Sequence, residues 1–301
     1  MELLQEKKVL FVPEQHNQNT ETNNQIVLCG DKNVIRALGV TVYSIAKHSK
    51  KECTFHIFFN GTLPVSDEEK LKELGNKFAV SIIIYRINPD IFKELYSSKF
   101  ISITAYYRLM VPYVLIEDNI QKVLYIDSDV LCVKDISPVF TLDLSSSIAF
   151  VGKDNSIVPK NQIWWKQHCK KIGMAGTEYF NSGMLLINMP AYIKHNIGKK
   201  ALALAAKTDY AHMDQDVLNI VLEGNVLFDE KNEYNCTMSI PDDLVSPDVR
   251  IVHFTGFKKP WKLYTSHWGD DVSQNPQPKN GNSWKYQYYK LWRDYAAESP
   301  W

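Results

Sequence analysis

Residues 122–133, Lys-Val-Leu-Tyr-Ile-Asp-Ser-Asp-Val-Leu-Cys-Val, constrain this chain more than any other segment. Val123, Leu124, Tyr125 and Ile126 form a near-continuous run of β-branched and bulky apolar residues, the composition of a strand covered on both faces. Asp127 and Asp129 end that strand, and Val130 resumes the apolar run at once. Two carboxylates therefore interrupt a segment that should be buried, and charge in such a place needs a compensating partner. At i and i+2 of a turn, with Ser128 between them, they can converge on one hard divalent cation, which takes oxygen ligands and often keeps a substrate phosphate in its shell. An Asp-rich turn that merely caps a strand is the plainer alternative. In an open α/β sheet, however, the end of a strand is also the rim where ligands bind.

A chain of 301 residues can bury a substantial core and allows one large α/β domain or two small ones. Basic and acidic side chains number 34 each, which gives no electrostatic case for a nucleic-acid partner. Cys29, Cys53, Cys132, Cys169 and Cys236 are odd in number, scattered and without a C-x-x-C pair. That pattern predicts buried free thiols in a reducing compartment rather than disulfides or zinc. There is no apolar run of about 18 residues, and the first residues lack the apolar core of a signal peptide, so the expectation is a soluble, cytoplasmic chain.

Residues 1–24 read as a polar lead-in, most clearly from Pro13 onward. Ile26–Cys29 then reads as a strand ending in Gly30-Asp31-Lys32-Asn33, Val34–Lys47 as a helix and Thr54–Phe59 as a second strand. Ser66-Asp-Glu-Glu69 has the form of a capping box opening a helix to about Phe78. Val80–Ile87 predicts a third strand, Tyr106–Leu115 a helix despite Pro112, and Ser147–Val151 a strand leading to Gly152-Lys153-Asp154. Strands alternating with helices in this rhythm predict α/β architecture with βαβ units and a mostly parallel sheet, in one domain over residues 25–262. Residues 263–301 form an extension whose last part, Ser283–Tyr295, has the pattern of an amphipathic helix with an aromatic face. Such a face either packs on the domain or meets a membrane interface.

Three further polar clusters punctuate the apolar rhythm. Asn181-Ser182-Gly183 leads into the apolar run Met184–Ile187, which places small polar groups and a close-approach glycine at a rim. Asp214, Gln215 and Asp216 occupy the first turn of a predicted helix, where acids also suit the helix dipole. Ile251 and Val252 form a strand delivering His253 to its end, followed by Gly256, Lys258, Lys259, Pro260 and Trp261. Imidazole is a common transition-metal ligand, and mixed oxygen and nitrogen ligation suits Mn²⁺, with Mg²⁺ the alternative. Neither a P-loop nor a G-x-G-x-x-G motif occurs. Together these features suggest a metal-bound diphosphate held without a Walker motif.

The set of motifs resembles glycosyltransferase family 8, most closely its bacterial lipopolysaccharide galactosyl- and glucosyltransferases. The blocks carrying the resemblance are Ile101–Leu109, the D-x-D strand, Tyr179–Asn188, Asp214–Asn219 and His253–Trp261, in that order. The resemblance implies a GT-A fold, UDP-glucose or UDP-galactose as donor, Mn²⁺, retention at the anomeric carbon, and a lipid-linked oligosaccharide acceptor reached by peripheral contact with the inner face of the membrane. It implies Asp127, Asp129 and His253 as metal ligands, with Ser128 beside them. Asp31 and Asn33 would meet the uridine end, and Arg108 the donor sugar or its diphosphate. Asp154, Asn181, Asp214 and Gln215 would line the sugar, while Gly256 and Lys259 belong to a loop closing on the diphosphate. Lys32 departs from the pattern, since relatives often carry an acid there. Because the amide of Gln215 is a poor nucleophile, the expected chemistry is same-face attack in which the leaving phosphate helps deprotonate the acceptor. A self-glucosylating or purely nucleotide-sugar-binding protein of the same fold is the alternative.

Overall fold

The computed structural model describes residues 2–14, 23–97, 102–154, 162–262 and 284–301. Strand β1 (Leu4–Phe11) precedes β2 (Asn24–Gly30), α1 (Ile35–His48), β3 (Cys53–Phe59), α2 (Val65–Phe78) and β4 (Ser81–Ile87). A 3₁₀ segment, Ile103–Met110, runs into the single turn α3 (Val111–Val114). After it come β5 (Lys122–Ile126), β6 (Val130–Cys132), β7 (Ala149–Lys153), α4 (Gln162–Ile172) and β8 (Phe180–Asn188). The remainder is α5 (Met189–Lys194), α6 (Ile197–Ala205), α7 (Asp214–Leu222), β9 (Val226–Asp229), β10 (Cys236–Thr237), β11 (Ile251–His253) and α8 (Trp284–Glu298).

Eight strands form one sheet in the order β1-β4-β3-β2-β5-β8-β7-β9, and β10-β11-β6 form a smaller one. The run β4-β3-β2-β5 is parallel, while β8 lies antiparallel between β5 and β7. Helices cover both faces, which explains the near-continuous apolar strands. Ile26 and Leu28 of β2 face the core under α1 and α2, whereas Val27 and Cys29 join the opposite core with Tyr106, Leu109 and Val217. All five cysteines are buried free thiols, as their scatter predicted. Burial pushes the thiol of Cys53 up to about 11 and that of Cys236 up to about 12, so both stay neutral.

Four sequence expectations need correction. The lead-in contains a strand: β1 pairs antiparallel with β4 at the sheet edge. Its Gln-Glu-Lys-Lys centre hid it, because an edge strand keeps charge toward water; Lys7 pairs with Asp118 and Lys8 with Glu68. Residues 15–22 of that lead-in lie outside the described residues. The capping box does not form either. Helix α2 starts at Val65, with Pro64 as its N-cap and no side-chain cap, so Ser66 falls inside the first turn. The helix expected over Tyr106–Leu115 is mostly the tighter 3₁₀ segment, and Pro112 sits at the start of the short α3, where a missing N–H costs nothing. Asn181-Ser182-Gly183 do not precede the apolar strand but belong to it, as the part of β8 that overruns the end of β5.

Helix α8 is packed on the domain with its aromatic face inward. Trp292 is buried, Tyr295 hydroxyl meets His48 Nε2 at 2.7 Å, and Glu298 pairs with Lys47 and accepts from Tyr43. The final Trp301 fills a notch over Gly39, where a Cβ would lie 2.4 Å from the indole ring. Trp268 and the Asn- and Pro-rich run to Asn282 lie outside the described residues. Among the described residues no helix is long and apolar enough to cross a membrane.

Candidate active site

Strand β5 ends at Ile126, and the chain turns through Asp127-Ser128-Asp129 into β6. The turn is fastened from below: Ser128 Oγ donates to Cys29 O of β2 at 2.8 Å, and Thr41 of α1 donates to Ser128 O at 3.0 Å. The Ser128 hydroxyl therefore anchors the turn and points away from any ligand on the rim. Strand β6 pairs with β11, matching Val130 with His253, and so carries the imidazole to the carboxylates. His253 Nε2 lies 3.2 Å from Asp129 Oδ1 and 3.7 Å from Asp127 Oδ2. One ligand atom from each of the three residues falls within 4.8 Å of the others. Gly183 passes so close that a Cβ would sit 2.1 Å from His253 Cε1 and 2.8 Å from Asp127 Oδ2.

The hydrogen-bond network fixes what this triad can hold. Gly183 N–H donates to Asn181 Oδ1, which also accepts from Asn235 Nδ2. Asn235 must then turn its oxygen to His253, 3.0 Å from Nδ1, so Nδ1 carries the proton. The other ring nitrogen presents a lone pair, or a second proton, to two carboxylates. A bare nitrogen facing two anionic oxygens is the donor set of a divalent cation, and its mixture of hard oxygen and imidazole fits Mn²⁺. Lys259 partly fills this electrostatic role, with Nζ on Asp129 Oδ2 and 2.6 Å from Phe254 O. Burial opposes charge on Asp129, but His253 and Lys259 prevail and hold its carboxyl well below the usual range.

Arg108 underlies the site rather than reaching out of it. Its guanidinium pairs with Asp127 at 2.9 Å and Asp214 at 3.1 Å, donates to Ser182 O at 2.6 Å, and lies 4.6 Å over the Tyr125 ring. Tyr125 hydroxyl donates to Asp127 Oδ1 at 2.6 Å. The reason for this inward placement is charge balance, since one buried cation serves the buried carboxylate of Asp214 and the half-buried one of Asp127. Burial still raises Asp214 to about 6, against the pull of Arg108.

Gln215 is the centre of a second network. Met213 adopts φ +47° and ψ −120°, a strained backbone for a residue with a side chain, and this kink starts α7 with Asp214 and Gln215 turned toward β8. Gln215 Oε1 accepts from Asn181 Nδ2 at 3.1 Å and Ser182 N–H at 3.0 Å. Its Nε2 donates to Asp154 Oδ2 at 3.1 Å and to Tyr179 hydroxyl at 3.3 Å. The structure thus joins Asp154, Asn181, Asp214 and Gln215 to the triad through Arg108, Ser182 and Asn235. Asp31 and Asn33 follow β2 on the same rim, next to β5, with Asp31 accepting from Asn33 N–H at 2.8 Å and Ser102 Oγ at 3.1 Å. They touch neither network. Gly256, with φ +80°, opens the loop bearing Lys259. That loop is held by α8: Tyr289 hydroxyl donates to Lys258 O at 2.9 Å and Arg293 Nε to Pro260 O at 3.2 Å.

Sequence reading missed Asn235, Tyr179, His168 and Asp216 as parts of the site. Asn235 sits in an irregular stretch without periodicity, and His168 lies mid-helix with no partner visible nearby in sequence. Tyr179 and Asp216 lie inside the blocks Tyr179–Asn188 and Asp214–Asn219, and that membership is the signal the sequence offers.

The family described as Glycosyl transferase family 8 matches residues 25–265. Lipopolysaccharide 1,3-galactosyltransferase of Salmonella typhimurium is 28% identical over 271 residues, covering 85% of this chain and 77% of the relative. Lipopolysaccharide glucosyltransferase WaaO of Escherichia coli is 28% identical over 288 residues, covering 90% and 82%. The galactosyltransferase LgtC, solved with donor and acceptor sugar analogs, superposes with a TM-score of 0.70 at 24% identity, covering 91% of this chain and 96% of that one. Its likeness shows the shared GT-A fold. With the family pattern spanning the sheet from β2 onward, the carboxylate turn and the His253 strand, this chain belongs to glycosyl transferase family 8.

Proposed function

We propose that this protein is a retaining, divalent-cation-dependent hexosyltransferase moving glucose or galactose from a UDP-sugar to a saccharide acceptor. We propose further that the acceptor is a lipid-linked lipopolysaccharide-core oligosaccharide met at the cytoplasmic face of the membrane. The observation that carries the reading is the convergence of Asp127, Asp129 and the Nε2 edge of His253 on one point of the sheet rim. The names of the relatives support a hexose and a lipopolysaccharide acceptor.

In this reading Asp127, Asp129 and His253 hold Mn²⁺, which when bound supplies positive charge against the departing diphosphate. Lys259, released from Asp129, adds a second positive group to the same oxygens. Asp31 and Asn33 orient the uridine end from the neighbouring strand. Asp154 and Asn181 meet the sugar, and Gln215 sets their directions. Retention follows from same-face attack, because the two carboxylates flanking Gln215 are engaged elsewhere. Asp214 is held by Arg108 and Ser182, and Asp216 is fully buried. The leaving phosphate then accepts the acceptor's hydroxyl proton as the new glycosidic bond forms and the bond to the diphosphate breaks.

Asp127→Asn and Asp129→Asn should each abolish Mn²⁺-dependent UDP-sugar binding while leaving the fold intact. Titration of manganese and donor, with circular dichroism as the folding control, checks this; near-normal turnover in both variants would refute the metal assignment. A panel of UDP-sugars tested for slow release of UDP identifies the donor. Turnover on an added saccharide separates transfer to an external acceptor from self-glycosylation.

A further inference from the structure

Tyr179 stands just ahead of β8 with its hydroxyl in the interior, donating to Asp216 Oδ1. The same oxygen lies 2.7 Å from His168 Nε2 on α4, and Asp216 Oδ2 accepts His212 N–H at 3.0 Å. Asp216 is 0% exposed. Its carboxylate can only accept, so the Tyr179 proton is committed to it and the hydroxyl turns a lone pair to Gln215 Nε2. The amide of Gln215 then has every hydrogen-bonding position occupied: two donors on its oxygen, and Asp154 and Tyr179 on its nitrogen. Ser182 N–H can only donate and Asp154 accepts, so the amide has one satisfied orientation. Packing reinforces the relay from α4, where Trp165 lies 4.8 Å from the Tyr179 ring and Trp164 stacks on His168 at 5.1 Å.

We infer that Tyr179 and Asp216 are positioning residues for transfer, acting through Gln215. They lock its amide so that N–H faces Asp154 and the oxygen faces Asn181, presenting those two side chains to the sugar in fixed directions. Gln215 is the hub through which both act. Without the Tyr179 lone pair, one N–H of the amide loses its acceptor and the hub can turn.

The kinetic arm of the test rests on the transfer reading above, and the spectroscopic arm does not. With manganese and UDP-glucose or UDP-galactose, release of UDP is measured for Tyr179→Phe, Gln215→Ala and the double variant. Tyr179→Phe should lower kcat by about tenfold with donor KM nearly unchanged, and should add nothing in the Gln215→Ala background, the non-additivity of residues acting as one unit. An unchanged kcat, or the same loss in both backgrounds, overturns the inference. Independently, selective ¹⁵N-glutamine labelling reports the Gln215 amide protons, assigned by their disappearance in Gln215→Ala. In the wild type they should exchange slowly with solvent, and Tyr179→Phe should shift one of them and speed its exchange. Unmoved resonances overturn the inference. If Tyr179→Phe does not fold, His168→Leu applies the same two measurements from the far side of Asp216. A wild-type chain that hydrolyses neither sugar nucleotide refutes the transfer reading, and the amide resonances still decide the positioning role.

Discussion

Gly183 occupies a point where a single methyl group would displace a metal-ligand candidate. Gly183→Ala places its Cβ against the His253 ring and the Asp127 carboxylate, so one of them must swing aside, the ring at the expense of its hydrogen bond to Asn235. The variant should lose Mn²⁺ affinity by at least about tenfold and cost about 1–3 kcal/mol of stability, the scale of overpacking a tight core. Isothermal titration and urea unfolding measure the two. Lys259 gives the opposite sign for the cation. Because its ammonium rests on Asp129, it competes with a cation until diphosphate draws it away. Lys259→Ala should therefore bind Mn²⁺ alone more tightly, by about tenfold, while losing roughly 1.5–3 kcal/mol of UDP binding, the scale of hydrogen bonds to charged groups. Uridine binding should be little changed. Equal losses for uridine and UDP would separate the lysine from the phosphates.

Among the secondary elements, α8 has the least expected part in the site. Its aromatic face is buried on α1, and its outer turns hold the carbonyls of Lys258 and Pro260 on either side of Lys259. Trp261 packs 5.4 Å from Trp292 on the same helix. The loop expected to close over the diphosphate is thus tethered to the C-terminal helix at both flanks of its lysine. The double variant Tyr289→Phe/Arg293→Ala should weaken UDP binding several-fold through added loop freedom while sparing uridine. Fluorescence of Trp261 in a background without other tryptophans near α8 should show a larger change on UDP addition than in the parent. No difference in UDP affinity would mean that the loop is set by the site alone.

Across the molecule, a ladder of polar side chains crosses four adjacent strands: Lys7, Tyr85, His56 and Gln25 of β1, β4, β3 and β2. His56 is bound by Tyr85 hydroxyl and Gln25 Oε1, both at 2.9 Å, and Asp118 completes the ladder between Lys7 and Tyr85. Burial drops the imidazole of His56 to about 4, with Lys7 adding to the effect and Asp118 opposing it. The unfolded chain holds this proton near pH 6.5, so between there and pH 4 the unfolded state binds more protons than the folded one. Stability from this residue is present above pH 6.5 and is lost as pH falls toward 4, by about 3 kcal/mol. Urea unfolding at pH 7 and pH 4.5 should show a smaller loss on acidification for His56→Gln than for the wild type. Parallel pH profiles would mean that His56 is not the group responsible.

The sequence by itself determined the features that depend on neighbours along the chain. The apolar runs of β2, β3 and β5 announced buried strands, and the D-x-D interruption announced a rim. His253 behind Ile251 and Val252 announced an imidazole delivered to that rim by a strand. These are local patterns of period and charge, and they survive folding because each element must bury its own apolar face. Tertiary structure decided whatever depended on partners far apart in sequence. The polar strand β1 exists because β4 offers it hydrogen bonds, and Pro64 rather than Ser66 starts α2. Arg108 points inward because two carboxylates, half-buried Asp127 after β5 and buried Asp214 at the start of α7, converge on it. The proton position on His253 is set by Asn235, and the orientation of Gln215 by Ser182 and Asp154. Such choices are made by hydrogen-bond complementarity in a closed interior, where an unpaired donor is costly, and no short window of sequence contains both halves of those pairs.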